Sequence, residues 1–320
     1  MIRLHSVEIS RFRGVREGKV SELKDVNLLI GKNNSGKTTV VEAIGRATGG
    51  NDVIGRDVSM VTSLSRNEKE VLPEGVAWRL DWDNSPMVEL QIGLDDGQQV
   101  RRRATFSKTG VKRLVGIKTP LVAPVSTQFD RFLKYPTVFA ANDAYNNEIE
   151  RAVWEPLLKQ RRDKFLVQAL NTIFGSNIEG LNLLPNGKLL VLYPDTSLPV
   201  DYQGDGMRAA LRCLMILASL QGTVMAIEEP ECRQHPAALR RLASGLCELA
   251  RMQQVQLVIT THSLECARAF MQASTKAGSE GAVFHLKLKD GLLESLRLDD
   301  ETVQTLDATG VDVRSLDLFV

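Results

Sequence analysis

The residues able to do chemistry fall in three short stretches, the first separated from the other two by most of the chain. The first, Gly31-Lys32-Asn33-Asn34-Ser35-Gly36-Lys37-Thr38, has the spacing G-x-x-x-x-G-K-[ST] and stands between the apolar run Val26-Asn27-Leu28-Leu29-Ile30 and the helix-like Thr39-Val40-Val41-Glu42-Ala43-Ile44. Strand before and helix after is the context a phosphate-binding loop requires. Its glycines let successive backbone N–H groups curl into a nest for the β- and γ-phosphates, its lysine adds a point charge and its threonine offers a hydroxyl to Mg²⁺. Asn33, Asn34, Ser35, Gly36, Lys37, Thr38 and Thr39 are therefore the expected phosphate-lining residues, with Thr38 a metal ligand.

The second stretch is an apolar strand, Val224-Met225-Ala226-Ile227, that ends in Glu228-Glu229-Pro230-Glu231. Two carboxylates at the carboxyl end of a buried strand suit a nucleotide hydrolase, one holding the Mg²⁺ shell and the next orienting or deprotonating water. Glu228 is assigned to Mg²⁺, directly or through water, and Glu229 to the attacking water. In the third, Val255-Gln256-Leu257-Val258-Ile259 leads to the turn Thr260-Thr261-His262-Ser263. A histidine there lies on the ligand edge of an open α/β sheet, which makes His262 a candidate γ-phosphate sensor. One helix upstream of the acids, Gly204-Asp205-Gly206 opens a helix whose Leu211, Leu214, Met215 and Ala218 share one face. A glycine-flanked helix entrance exposes N–H donors and the positive end of the helix dipole, a second anion site.

Elements that must position these residues are legible in outline. Ile2 to Ile30 reads as two or three strands, and the helix from Thr38 stops at Gly49-Gly50. Residues 51–136 change to short β-like pieces such as Val76–Leu80 and Val88–Ile92 broken by turns, read as an antiparallel lobe inserted into the core. Within it Arg101, Arg102, Arg103, Lys108, Lys112, Arg113 and Lys118 occur with no acid among them. Such a hairpin could track the phosphate backbone of DNA or RNA, or be a solvated strand face balanced by acids such as Asp95 and Asp96. Residues 142–175 turn helical, and residues 200–320 hold the second half of the core; the whole, residues 1–320, is expected to be a single unit with the insert packed against its host.

Composition limits the alternatives. With 320 residues, 43% hydrophobic and 25% charged, and 40 basic against 39 acidic side chains, no overall field draws the chain to nucleic acid or membrane. Neither a signal peptide nor a membrane span is visible, so a cytoplasmic location is expected. Cys213, Cys232, Cys247 and Cys266 are widely spaced, read as reduced and mostly buried thiols rather than a zinc or disulfide framework.

The order of these motifs, with the acidic strand far from Lys37 and Gly204-Asp205-Gly206 one helix before it, resembles the ABC-type ATPase heads of the SMC, RecF and OLD families. The resemblance rests on Phe12-Arg13-Gly14, Gly31 to Thr39, Gly204-Asp205-Gly206, Ile227 to Glu231 with His235-Pro236, and Thr260 to Ser263. The tail Gly310-Val311-Asp312-Val313-Arg314 is similar to the end of stand-alone OLD-like ATPases. It implies an α/β P-loop fold with a mixed sheet, and a head that binds ATP and Mg²⁺, dimerises around nucleotide and hydrolyses it with low turnover. By the same analogy Arg13 would sit near the phosphates, and the turn at Gly204 would close on the nucleotide of a second subunit.

Departures from the pattern are specific. Tyr202-Gln203 stands where ABC signatures place a serine, Glu228 replaces the commoner aspartate, and Gln128 is a candidate for the glutamine of the inserted lobe. Asp299-Asp300-Glu301 reads as a loop shortly before Val320, so no Toprim nuclease domain is expected. The resemblance implies a separately encoded effector, a nuclease or toxin, in bacterial anti-phage defence. The alternatives are a nucleotide-gated DNA- or RNA-binding module and a RecF-like repair factor.

Overall fold

A computed structural model describes residues 3–48, 86–93, 99–107, 110–118, 138–140, 147–298, 302 and 305. The chain opens with β1 (Arg3–Phe12), β2 (Val15–Ser21) and β3 (Val26–Ile30), then α1 (Lys37–Thr48). There follow β4 (Met87–Gly93), β5 (Gln99–Ser107), β6 (Gly110–Lys118) and β7 (Val138–Ala140), then α2 (Asn147–Lys159) and α3 (Asp163–Phe174). A small meander, β8 (Gly180–Leu183), β9 (Leu189–Leu192) and β10 (Ser197–Pro199), leads into α4 (Asp205–Ser219). The last third comprises β11 (Val224–Glu228), α5 (Pro236–Gln253), β12 (Gln256–Thr261), α6 (Leu264–Lys276), β13 (Gly281–Lys289) and β14 (Leu292–Leu298).

One mixed sheet runs in the order β6-β5-β4-β1-β2-β14-β13-β3-β12-β11-β7, and the meander forms a separate three-stranded sheet. Its centre is parallel: β13, β12 and β3 pair side by side, as do β12 with β11 and β11 with β7. The flank from β1 through β4 and β5 to β6 is antiparallel. Thus β4–β6 extend the edge of the core sheet through β1; Val76–Leu80, Asp95, Asp96, Lys108, Gln128, Asp299 to Glu301 and the tail at Gly310 lie outside the described residues.

Central strands are buried on both faces, which explains their unbroken apolar runs. Leu28 and Ile30 of β3, Met225 and Ile227 of β11, and Leu257 and Ile259 of β12 belong to one core with the helices α2 to α6. Leu29, Val224, Ala226 and Val258 face the opposite core, shared with α1 and the β1–β4 strands. Two polar side chains inside this apolar sheet fix its alignment. Asn27 accepts from Lys24 N–H at 2.6 Å and donates to Leu257 O at 3.0 Å. Gln256 accepts from Leu4 N–H at 2.8 Å and donates to Leu4 O and Lys24 O. Fully satisfied buried amides of this kind penalise register slips, because a slip would orphan several donors at once. The consequence is that β3, β12 and β11 end level with one another.

Helix ends follow local rules. Pro236 sits at the first turn of α5, where its missing N–H costs nothing, and the His235 ring accepts from Ala237 N–H at 3.2 Å as the cap. Ser263 caps α6 by accepting from Cys266 N–H at 3.2 Å. Among the described residues no helix is long and apolar enough to cross a membrane.

Candidate nucleotide site

The site is built where β3, β12 and β11 deliver their carboxyl ends side by side, the edge at which open parallel sheets place ligands. From β3 the chain turns through Gly31 to Gly36 into α1. Gly31 has φ of +147°, and a Cβ there would meet Leu286 O at 2.5 Å and Ser35 Oγ at 2.7 Å. Gly36 has φ of +93° and a Cβ there would meet Leu293 Cδ1 at 2.8 Å. Both positions therefore demand glycine, for conformation and for space. Asn34 between them also has positive φ, and Ser35 N–H returns to Lys32 O at 3.2 Å. Asn33 and Asn34 are exposed, Ser35 and Gly36 buried, and Thr38 and Thr39 half-buried.

Lys37 is 6% exposed and its ammonium is folded onto the loop, 2.9 Å from Gly31 O and 2.8 Å from Lys32 O, with Ser35 Oγ at 3.5 Å. Burial pulls its pKa down to about 8, against the opposing pull of Glu229, Glu231 and Glu228. A cation held this far from water gains strongly from an incoming phosphate.

Thr38 Oγ1 donates to Glu228 Oε1 at 2.8 Å, joining the start of α1 to the end of β11. A hydroxyl and a carboxylate in contact are a hard all-oxygen pair of the kind Mg²⁺ takes. Among the described residues no group of three or more His, Cys, Asp or Glu could hold a metal, so a divalent ion here would take the rest of its shell from water or phosphate oxygens.

Glu229 follows β11 with φ of +43°, a left-handed conformation uncommon for a side chain with a Cβ. Its N–H donates to Thr260 O at 2.9 Å and its carbonyl accepts from Cys232 N–H at 2.9 Å, so both neighbours hold the kink. That kink aims the carboxylate back across the sheet edge, where Glu229 Oε1 lies 3.0 Å from His262 Nε2. His262 Nδ1 lies 3.4 Å from Lys37 Nζ. The Nε2–H tautomer satisfies both contacts, receiving from the ammonium and donating to the carboxylate.

The structure thus brings together Lys37, Thr38, Glu228, Glu229 and His262. Glu231, quoted in the motif without a role, is the residue sequence reasoning missed. Its Oε1 accepts from Thr261 Oγ1 at 2.5 Å and from His262 N–H at 3.1 Å, fixing the turn that presents the histidine. A third acid two positions after Glu229 was the available signal.

Gly204-Asp205-Gly206 is placed differently. Gly204 is the N-cap of α4 with no side-chain cap, and Gly206 packs so closely on the segment after the acids that a Cβ would come within 2.7 Å of Arg233 O. Gln234 Nε2 donates to Gly206 O at 2.7 Å. Tyr202, just before the turn, is 78% exposed. Arg13, in the turn between β1 and β2, pairs its Nε with Glu42 Oε2 of α1 at 2.5 Å, on the flank of the helix that begins at Lys37. On the antiparallel flank Arg101 and Arg103 are exposed, but both reach Glu89 of the neighbouring strand, at 3.9 and 2.7 Å. The acid beside this basic strand comes from β4, outside the run in which none was visible.

A family model described as an AAA ATPase domain matches residues 2–52 and 128–267, more than half of the chain and the spans that carry the loop, both acids and His262. The chain belongs to this AAA ATPase family. The same α/β architecture is found in solved SMC heads. The SMC head domain from Thermotoga maritima aligns with a TM-score of 0.55 at 15% identity, covering 93% of this chain and 99% of that one. The Smc head of Pyrococcus furiosus, solved with an extended coiled coil and bound to the C-terminal domain of ScpA, aligns with a TM-score of 0.57 at 12% identity, covering 97% and 99%. At these identities the likeness shows the fold: this AAA ATPase has the P-loop architecture of an SMC head. An uncharacterized protein of Methanocaldococcus jannaschii is 26% identical over 113 residues, 35% of this chain and 98% of that protein.

Proposed function

We propose that this AAA ATPase binds ATP with Mg²⁺, closes as a homodimer around the nucleotide and reopens on slow hydrolysis, using that cycle to regulate a separate effector protein. The observation that carries the reading is the continuous contact Lys37–His262–Glu229 beside Thr38–Glu228, on one sheet edge. Lys37 and the N–H groups of the loop would hold the β- and γ-phosphates, and Thr38 with Glu228 would hold Mg²⁺, which neutralises charge building on the phosphates. Glu229 would orient the attacking water and accept its proton, while His262, already bonded to both Lys37 and Glu229, would report γ-phosphate to the base. The N-terminus of α4 supports the dimer, because its N-cap Gly204 is exposed, carries no side-chain cap and stands beside exposed Tyr202, leaving the helix entrance open to an anion from outside.

A nuclease or toxin of anti-phage defence is the effector class implied by the resemblance to stand-alone OLD-like ATPases. The Pyrococcus head was solved with a partner domain, which supports a partner-bearing surface on this fold. Nucleic-acid binding through the β5 arginines has less support, since Glu89 lies against Arg101 and Arg103. The deciding experiment measures ATP turnover of the whole chain, with and without DNA, and its mass in ATP. Glu229→Gln should retain nucleotide, lose turnover and accumulate as a dimer. Unchanged turnover would remove Glu229 from its role.

A further inference from the structure

Glu229 is held by more than the histidine. Its Oε2 lies 3.5 Å from Cys232 Sγ, within S–H···O range, while its Oε1 lies 3.0 Å from His262 Nε2. Two different segments therefore supply one donor to each carboxylate oxygen. Cys232 also differs from the other three cysteines, which are buried in the helical core; it is half-buried.

We propose that the Cys232 thiol is a positioning residue that holds the Glu229 carboxylate for attack of water, the second arm of a bracket whose first arm is His262. A carboxylate on a left-handed residue has a backbone fixed in direction but side-chain torsions still free, and donors on opposite oxygens remove that freedom. Desolvation and the neighbouring Glu229 and Glu231 push the Cys232 thiol up to about 11, so at neutral pH it stays an S–H donor. The same short segment carries Gln234, whose side chain donates to Gly206 O, and Gln234 N–H returns to Glu231 O at 3.1 Å. The thiol is thus set by the loop against which the Gly204–Gly206 turn rests, giving that turn a short physical route to the base.

This inference rests on the proposed role of Glu229, and the experiment separates the two. ATP turnover and binding of a fluorescent ATP analogue are measured on the full chain for wild type, Cys232→Ala, Cys232→Ser and Glu229→Gln. Cys232→Ala should lower kcat about tenfold, the scale of one hydrogen bond to a charged group, with KM and nucleotide affinity unchanged. Cys232→Ser should restore most of it, because a hydroxyl can donate to the same oxygen. A second readout needs no cysteine variant: native-state alkylation with iodoacetamide, read by mass spectrometry, should label Cys232 ahead of the buried three, and Glu229→Gln should speed that labelling several-fold. If Glu229→Gln stops turnover while Cys232→Ala matches wild type, or Cys232→Ser behaves like Cys232→Ala, the bracket is wrong and the ATPase reading stands. If Glu229→Gln turns over normally, both fall. Labelling of Cys232 that is indifferent to Glu229→Gln also overturns the bracket.

Discussion

His262 Nε2 stands 3.0 Å from Glu229 Oε1 although 33 positions separate the two residues, because β11 and β12 are parallel neighbours whose ends are level. The ring's other nitrogen reaches Lys37, so one histidine touches both the group assigned to phosphate and the group assigned to water. His262→Ala should therefore lower kcat by about 10- to 100-fold while changing ATP affinity far less. Steady-state kinetics beside equilibrium binding distinguish this from a structural role, in which affinity and thermal stability would fall together.

Lys37 makes a prediction about the nucleotide-free protein. Its folded pKa of about 8 lies below the ordinary 10.5, so between those values the unfolded chain holds more protons than the folded one. Stability should rise with pH across that window, by at most on the order of 3 kcal/mol, and the full cost of the buried cation is present below it. Lys37→Met should raise the Tm of the free protein at pH 7, flatten the pH dependence above pH 8 and abolish the thermal shift produced by ATP. Thermal melts across pH, with and without nucleotide, test all three; a lower Tm at pH 7 would contradict the burial argument.

The two glycines at the start of α4 separate stability from assembly. At Gly204 φ is −60° and a Cβ would meet nothing within 4 Å, whereas at Gly206 it would meet Arg233 O at 2.7 Å. Gly206→Ala should destabilise the fold by roughly 1–3 kcal/mol through overpacking against backbone. Gly204→Ala should leave stability unchanged and, if a second subunit's nucleotide approaches this bare backbone, weaken the ATP-dependent dimer. Denaturant melts and mass measurement in ATP read the two effects separately, and a Gly204→Ala protein that dimerises normally would argue against contact at that point.

Glu231 should matter through the residues it holds. Glu231→Ala removes the acceptor of both Thr261 Oγ1 and His262 N–H, leaving donors unpaired at a cost of about 1–3 kcal/mol and loosening the histidine. Expected is a fall in kcat together with a lower melting midpoint, in contrast with Cys232→Ala, where the midpoint should hold.

The loop at Gly31–Thr38 was legible because its requirements are local: eight consecutive residues, two positive-φ glycines and a helix entrance leave few other readings. Apolar runs likewise announced β3, β11 and β12, since strands buried on both faces need continuous hydrophobicity. The sequence by itself therefore determined where the glycine-lysine loop lies between strand and helix, which strand carries the acids and that a histidine ends a core strand. Only the tertiary structure decided which strands are neighbours. Thr38 meets Glu228 across 190 positions and Lys37 meets His262 across 225, and periodicity records that a strand is buried, never beside which partner. The same holds for the pairing of Arg13, expected near the phosphates by analogy, with Glu42 on the flank of α1, for Glu89 between Arg101 and Arg103, and for Cys232, whose contact is made to Glu229 on a left-handed backbone that no residue type announces. Long-range pairing follows from how two cores close over one sheet, and that closure is a property of the whole chain.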